Sequence, residues 1–441
     1  MALFRNANLI DGKSGEVQKG KTIRVKNGRI TEIIDDVGAL PDEQVTELQG
    51  FYVTPGLIDA HVHLITPFVP KVTPRVLLCL GNQIKRNLRA VLESGVTTVR
   101  DMAAFPRKIQ AAKRTVVEDP TAGPRIVCAN SYITCFGGTP EWVPYFKGLV
   151  KLIAGGQAIE RARDPEETAN IVRRMVSLGA DWVKTCHSDR SLCIGKGILP
   201  TLSDDSYRAL FDEAERLGKP VAFHQYWLSA FKKGLEYKPA TFEHVPLDGE
   251  LEDSDVKAFV DSGIALTPTI TAFKCLCDNE MVAGDISEKG GDLFEPVVHK
   301  MISECLDHYR KKDYTAEEIE KEYIMDEEVI AKGIPIIYRN LRKIWEAGGK
   351  LGCGTDAGGC DFGFFGFFHR ELANMVDIGL SPFEALRCAT AVNAEILGMD
   401  GDIGTLEPGK YADMVVVRDN PLEDISAMGG IEAVYKGGVK V

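Results

Sequence analysis

From Leu57 to Asp356 the chain repeats one unit, a short apolar run followed by a segment with helical periodicity, and this alternation restricts the fold more than any other feature. The runs are Leu57–Leu64, Thr97–Asp101, 125–128, 182–186, 220–224, 241–245, 265–269 and 351–356. Segments between them, such as 166–178 and 205–217, carry an apolar stripe and a charged face. Eight strand-then-helix units predict α/β architecture, a parallel (β/α)8 TIM barrel with helices outside. A stretch from about 275 to 335 is too long for a simple loop, and its charge and helix formers predict a helical excursion that shapes one wall of the site.

Outside this region the pattern is different. Thr22–Val25 and Ile30–Ile34 flank Asn27-Gly28, a hairpin turn signal. Strand character returns after the helical segment 381–397, in 413–418 and 433–436. We therefore expect residues 1–56 and 388–441 to form one small β-sandwich domain from both chain ends, and 57–387 to form the barrel. At 441 residues the chain exceeds the usual single core, which fits two domains.

Composition excludes some partners. A net charge of −12 argues against nucleic acid and against an anionic membrane surface, since both need a basic face. No stretch approaches the roughly 18 apolar residues that cross a bilayer. The first twelve residues include Arg5 and Asn6 and do not read as a signal peptide. Eleven scattered cysteines fit a reducing cytoplasm better than a disulfide scaffold, and Cys275 and Cys277, a lone C-x-C, read as ordinary thiols.

The chemistry gathers at strand ends. His61 and His63 stand two residues apart on a strand, so both imidazoles face the same side. Only eight histidines occur in the chain, and two more, His224 and His244, close apolar runs, as does Asp356. In a barrel such C-terminal strand ends converge at the mouth. Singly, each is a core histidine or a capping aspartate; four imidazoles and a carboxylate on four strand ends read as a site for zinc or similar divalent ions. Lys184 sits at an inward-facing strand end, where an ammonium ion is costly to bury. A salt bridge or snorkelling would explain it; a carbamate formed with carbon dioxide would also bridge two metals as a carboxylate does, and we favour that reading.

With these residues in place, the sequence resembles the amidohydrolase superfamily, in particular its prolidase-like and imidazolonepropionase-related branch. Pro55-Gly56-Leu57-Ile58-Asp59-Ala60-His61-Val62-His63-Leu64 is similar to that family's opening motif, Gly354-Thr355-Asp356-Ala357-Gly358 to its last-strand motif, and Ile403 to Asp413 to its C-terminal signature. The resemblance implies that His61, His63 and Asp356 hold one metal and His224 and His244 the other, with N6-carboxylated Lys184 as the bridge. It also shows departures. Relatives often read Thr-Gly-Gly where this chain has Thr185-Cys186-His187, and His-Ala-His where it has His224-Gln225-Tyr226, both at the mouth where the substrate is read.

The expected activity is hydrolysis of an amide C–N bond in a dipeptide, an N-acyl amino acid or a related small molecule. A water shared by two divalent ions, its pKa lowered from roughly 15.7 toward neutrality, attacks the carbonyl while Asp356 carries its proton to the leaving amine. His187 is left open between a hydrogen bond to the substrate carbonyl and a surface position. Arg190 and Tyr226 are candidates for a substrate carboxylate, with a salt bridge and a packed ring as the alternatives. The run Phe362, Phe364, Phe365, Phe367, Phe368 either lines an apolar pocket or packs against other elements; His369 and Glu371 read as structural. Competing readings are a one-metal deaminase or cyclic-amide and imidazolone hydrolase on the same barrel, and a barrel retained only for binding. Self-association into a homo-oligomer is expected by analogy.

Overall fold

The computed structural model describes residues 1–35, 42–66, 73–359 and 362–441. Its centre consists of two parallel sheets, as the alternating pattern demands. The three-stranded sheet runs in the order Leu57–Val62, Val96–Asp101, Arg125–Cys128. The seven-stranded sheet runs Ile159–Ala162, Tyr132–Cys135, Val183–Cys186, Val221–His224, Thr241–Glu243, Ala265–Thr267, Lys350–Leu351. Backbone hydrogen bonds cross both seams between them. At one seam Asp181 N donates to Cys128 O (2.7 Å); at the other Ala60 N donates to Cys353 O (3.0 Å) and Asp356 N to His61 O (2.8 Å). Asn393 clamps the second seam, donating to Ile58 O and Cys353 O and accepting from Cys353 N.

Helices follow the strands with the caps their sequences supply. Pro165–Ser177 begins at Asp164, whose side chain accepts from Glu167 N, and Asp204–Arg216 begins at Ser203 in the same way. Both lie within one residue of the expected segments. The excursion is helical too: Asn279–Leu293, Pro296–Lys311 and Ala316–Lys321 lead into Glu327–Glu346. Pro335 does not end it but lies inside that last helix, because Ile330, Ile337, Leu341 and Ile344 on either side are buried on one face. Burial on both sides offsets the hydrogen bond a mid-helix proline removes.

Two strands, Tyr132–Cys135 and Ile159–Ala162, correct the sequence reading, which placed none there. Each has only four residues, and Glu160 and Arg161 hide the apolar signal of the second. The last strand is also shorter than the expected 351–356. Only Lys350–Leu351 pair as a strand; beyond them the chain keeps the backbone bonds to the first strand given above.

Strands from both ends of the chain join one eight-stranded sheet. Val439–Lys440, Ile431–Lys436 and Met414–Val417 pair through Tyr52–Pro55 to Ala2–Ile10, Val17–Lys26 and Arg29–Asp35, and Gln44–Glu47 adds to Ala2–Ile10. Its core contains Phe4, Ile23, Val53, Met414 and Val416. Asn27 and Gly28 turn the expected hairpin with φ of 52° and 78°, the left-handed pair that a two-residue turn with native strand twist requires. Residue 388 falls within a helical run, Pro382–Arg387 continuing through Cys388–Val392 into Asn393–Ile396. No described helix is long and apolar enough to cross a membrane.

Candidate metal centre

His61, His63, Lys184, His224, His244 and Asp356 all face one cavity of about 280 Å³. The His61 ring centre is 5.4 Å from that of His63 and 5.1 Å from that of His244, and His224 is 4.5 Å from His244. Asp356 Oδ1 lies 3.0 Å from His63 Nε2 and 3.5 Å from His61 Nε2. Ligand atoms of His61, His244 and Asp356 are all within 4.8 Å of one another, so members of both expected donor sets stand close together.

The backbone at these strand ends is unusual. His244 and Asp356 have φ of 70° and 54°, and Thr269, beside them, 54°. Residues other than glycine rarely occupy this region, and when held there by their surroundings they cluster at functional sites.

Hydrogen bonds fix how three of the four rings are presented. His61 Nδ1–H donates to Glu243 (2.6 Å), and the other Glu243 oxygen accepts from Arg100 Nη2 (2.7 Å) and from the Thr241 hydroxyl. His63 Nδ1–H donates to the Ala103 carbonyl, and His244 Nδ1 shares a hydrogen bond with the Thr269 hydroxyl. In each case Nε2 is left for the cavity side. Asp59 braces the loop of Asp356, accepting from Thr355 N and from its hydroxyl, and Asp101 accepts from Leu64 N. Burial pushes Asp59 and Asp101 up to about 7.

Burial favours the neutral form of three of the four rings. Burial holds His61 and His224 well below the usual histidine value and His244 at about 3. For His63, burial acts downward, but the Asp356 carboxylate outweighs it and raises the ring. Burial lowers Lys184 to about 8 against the pull of Glu243 and Asp356. Lys184 Nζ and His224 Nε2 are buried here without a hydrogen-bond partner among the described residues. Polar atoms so placed are costly unless something else completes them. Neutral imidazoles, a carboxylate and an uncompensated lysine suit a divalent cation cluster.

The remaining candidates separate. Tyr226 lines the cavity, its ring 4.8 Å from that of His224 and its hydroxyl buried toward Ser188 and Thr139. Arg190 does not line it; its guanidinium pairs with Asp248 (2.5 Å) and stacks on Trp227 (4.2 Å). His187 also stands outside, with Nδ1 3.1 Å from the Tyr207 hydroxyl. The phenylalanine run is buried away from the cavity: Phe364 packs on Phe294 and Phe362 on Tyr309, both from the excursion. Glu371 receives Ile270 N, Thr271 N and the Thr271 hydroxyl, a structural role. Sequence reasoning missed Glu243 and Arg100, and also Tyr132, whose ring meets His224 edge-on at 5.9 Å. A signal for Glu243 existed in its place before His244 at a strand end; none existed for the other two.

Comparison with known proteins identifies the family and the fold. The model of the Amidohydrolase family matches residues 52–441. The guanine deaminase of Escherichia coli (strain K12) is 34% identical over 102 residues, 22% of this chain and 23% of that one. The adenine deaminase of Listeria innocua serovar 6a is 38% identical over 81 residues, 18% of this chain and 13% of the relative. These matches thus span less than a quarter of each relative. Among solved structures, a Xaa-Pro dipeptidase with bound methionine is 24% identical with a TM-score of 0.75, covering 100% of this chain and 99% of that one. A prolidase complexed with N-methylphosphonate-L-proline, also 24% identical, has a TM-score of 0.78 with the same coverage. At this identity the structural likeness speaks for the fold.

Proposed function

This chain belongs to the amidohydrolase family, and we propose that it is a metal-dependent hydrolase that cleaves a carbon–nitrogen amide bond at the cluster around Lys184. On this reading the two parallel sheets close into one eight-stranded barrel at the seams described above. Tyr132–Cys135 and Ile159–Ala162 are additions at its mouth, and the end-built sheet is the small sandwich domain.

The observation that carries the proposal is the Lys184 amine, buried and without a hydrogen-bond partner among four imidazoles and Asp356. In its neutral form the amine nitrogen adds to carbon dioxide and releases a proton, leaving an anionic carbamate with two oxygens. That group would complete two donor sets, His61, His63 and Asp356 on one side and His224 and His244 on the other. Zinc suits donors of this kind. Two divalent ions held there would supply an activated water at neutral pH and polarise the scissile carbonyl.

The protein's own residues do the rest. Asp356, with one oxygen toward His63, is placed to take the proton of the attacking water and deliver it to the amine that leaves. Glu243 keeps the His61 Nδ1 proton and so presents Nε2 inward. Tyr226, beside His224, is placed to donate its hydroxyl proton to the substrate carbonyl.

The matched stretches of guanine and adenine deaminases support a second reading, one-metal deamination. It leaves Lys184 without a role. Screening small amides with Asp356→Asn and with chelator-stripped protein tests the proposal: both should lose amide hydrolysis by about a hundredfold or more, and added metal should restore only the wild type. Ammonia release from a purine by protein holding one ion would favour deamination.

A further inference from the structure

Beyond the reacting cluster, the cavity wall is almost wholly apolar. Phe105, Trp142, Phe146, Leu192, Phe273 and Met325 form much of it. Among the described lining residues the only charged or titratable side chains besides two tyrosines are the cluster members themselves, and none is an arginine. Arg161, on the strand that contributes Ile159, does not line the cavity; its Nη2 donates to the Val143 carbonyl at 2.8 Å and its guanidinium lies over the Tyr145 ring, while its Nη1 is buried without a partner among the described residues. The Arg190 guanidinium is committed to Asp248 and Trp227.

The polar groups facing the chamber are neutral. Tyr132, Thr139 and Tyr226 line the cavity, and their hydroxyls are buried. Hydroxyls of this kind satisfy a carbonyl or an N–H but cannot neutralise a carboxylate. The apolar character also continues outward. Val143, Pro144 and Phe146 of the wall lead into the helix Gly148–Ala154, where Leu149 is 69% exposed and Leu152 58%. A ligand arriving this way meets apolar surface before it reaches the cluster.

We propose that the cavity selects uncharged, apolar amides, such as aryl or arylalkyl amides, and discriminates against substrates bearing a free carboxylate next to the scissile bond. This rests on the hydrolase reading and narrows it, turning away from the dipeptides and N-acyl amino acids that the sequence suggested. The physical reason is desolvation: an anion carried into this chamber loses its water and, outside the cluster, finds no cation among the described lining residues to replace it.

The test uses the metal-loaded wild-type protein and two ligands that differ only in one carboxylate, N-acetyl-L-phenylalanine and N-acetyl-2-phenylethylamine. Stopped-flow tryptophan fluorescence, with Trp142 in the wall as reporter, gives the affinity of each, and amine release gives turnover. The neutral amide should bind at least about tenfold more tightly. Equal or tighter binding of the acid would overturn the proposal and would put Arg161 within reach of the ligand; failure of both to bind at millimolar concentration would overturn it as well. Preferential binding of the neutral amide with no amine released would uphold the selectivity and sink the amide-hydrolase reading instead.

Discussion

Glu243 shows why part of the site could be read from the sequence and part could not. The candidate ligands were legible because histidine is scarce in this chain and strand alternation says which side a residue faces. Glu243 lies next to His244, yet its partners come from elsewhere: His61 on the first strand of the three-stranded sheet and Arg100 on its neighbour. No local pattern announces a contact assembled from three strands, nor the positive φ of His244 and Asp356. If Glu243 orients His61, Glu243→Gln should lower metal affinity about 10- to 100-fold, read by competition with a chromogenic chelator. An unchanged affinity would make the residue merely a partner for buried Arg100.

At the scale of elements, the excursion and the aromatic run explain one another. The run's alternation of Phe and Gly permitted two readings; Phe294, in the bend between two excursion helices, and Tyr309, on the second of them, decide for packing. Glu371 does similar work on a smaller scale, accepting the first amides of the helix Ile270–Cys275, close to the cavity wall at Phe273. Glu371→Ala should cost about 2–4 kcal/mol, since it strands two buried N–H groups, and should appear as a lower urea midpoint with metal content retained. A loss below about 0.5 kcal/mol would mean that water replaces the carboxylate. The strands Tyr132–Cys135 and Ile159–Ala162 escaped sequence reading because each has only four residues, no helical segment separates the first from Arg125–Cys128, and Glu160 and Arg161 break the second, and Tyr132 was missed with them.

Across the whole molecule, the two chain ends meet in one sheet, and side chains tie them as well. Lys13 from the first segment pairs with Glu407 from the last, which also accepts from the Thr405 hydroxyl. These partners, Lys13 first, hold Glu407 at about 2, well below an ordinary glutamate. A depressed carboxylate contributes stability above its unfolded value, about 4.3, and that contribution disappears as pH falls toward 2. Wild type should therefore lose urea resistance over this interval by more than Glu407→Gln does. Identical acid profiles would show that the tie contributes nothing to holding the ends together.

The central claim is a metal pair bridged by a modified Lys184. Metal content per chain, measured on wild type and on Lys184→Ala purified with bicarbonate present throughout, tests it most directly. A bridged pair requires about two ions in wild type and a sharp drop in the variant; one ion in both proteins would exclude it.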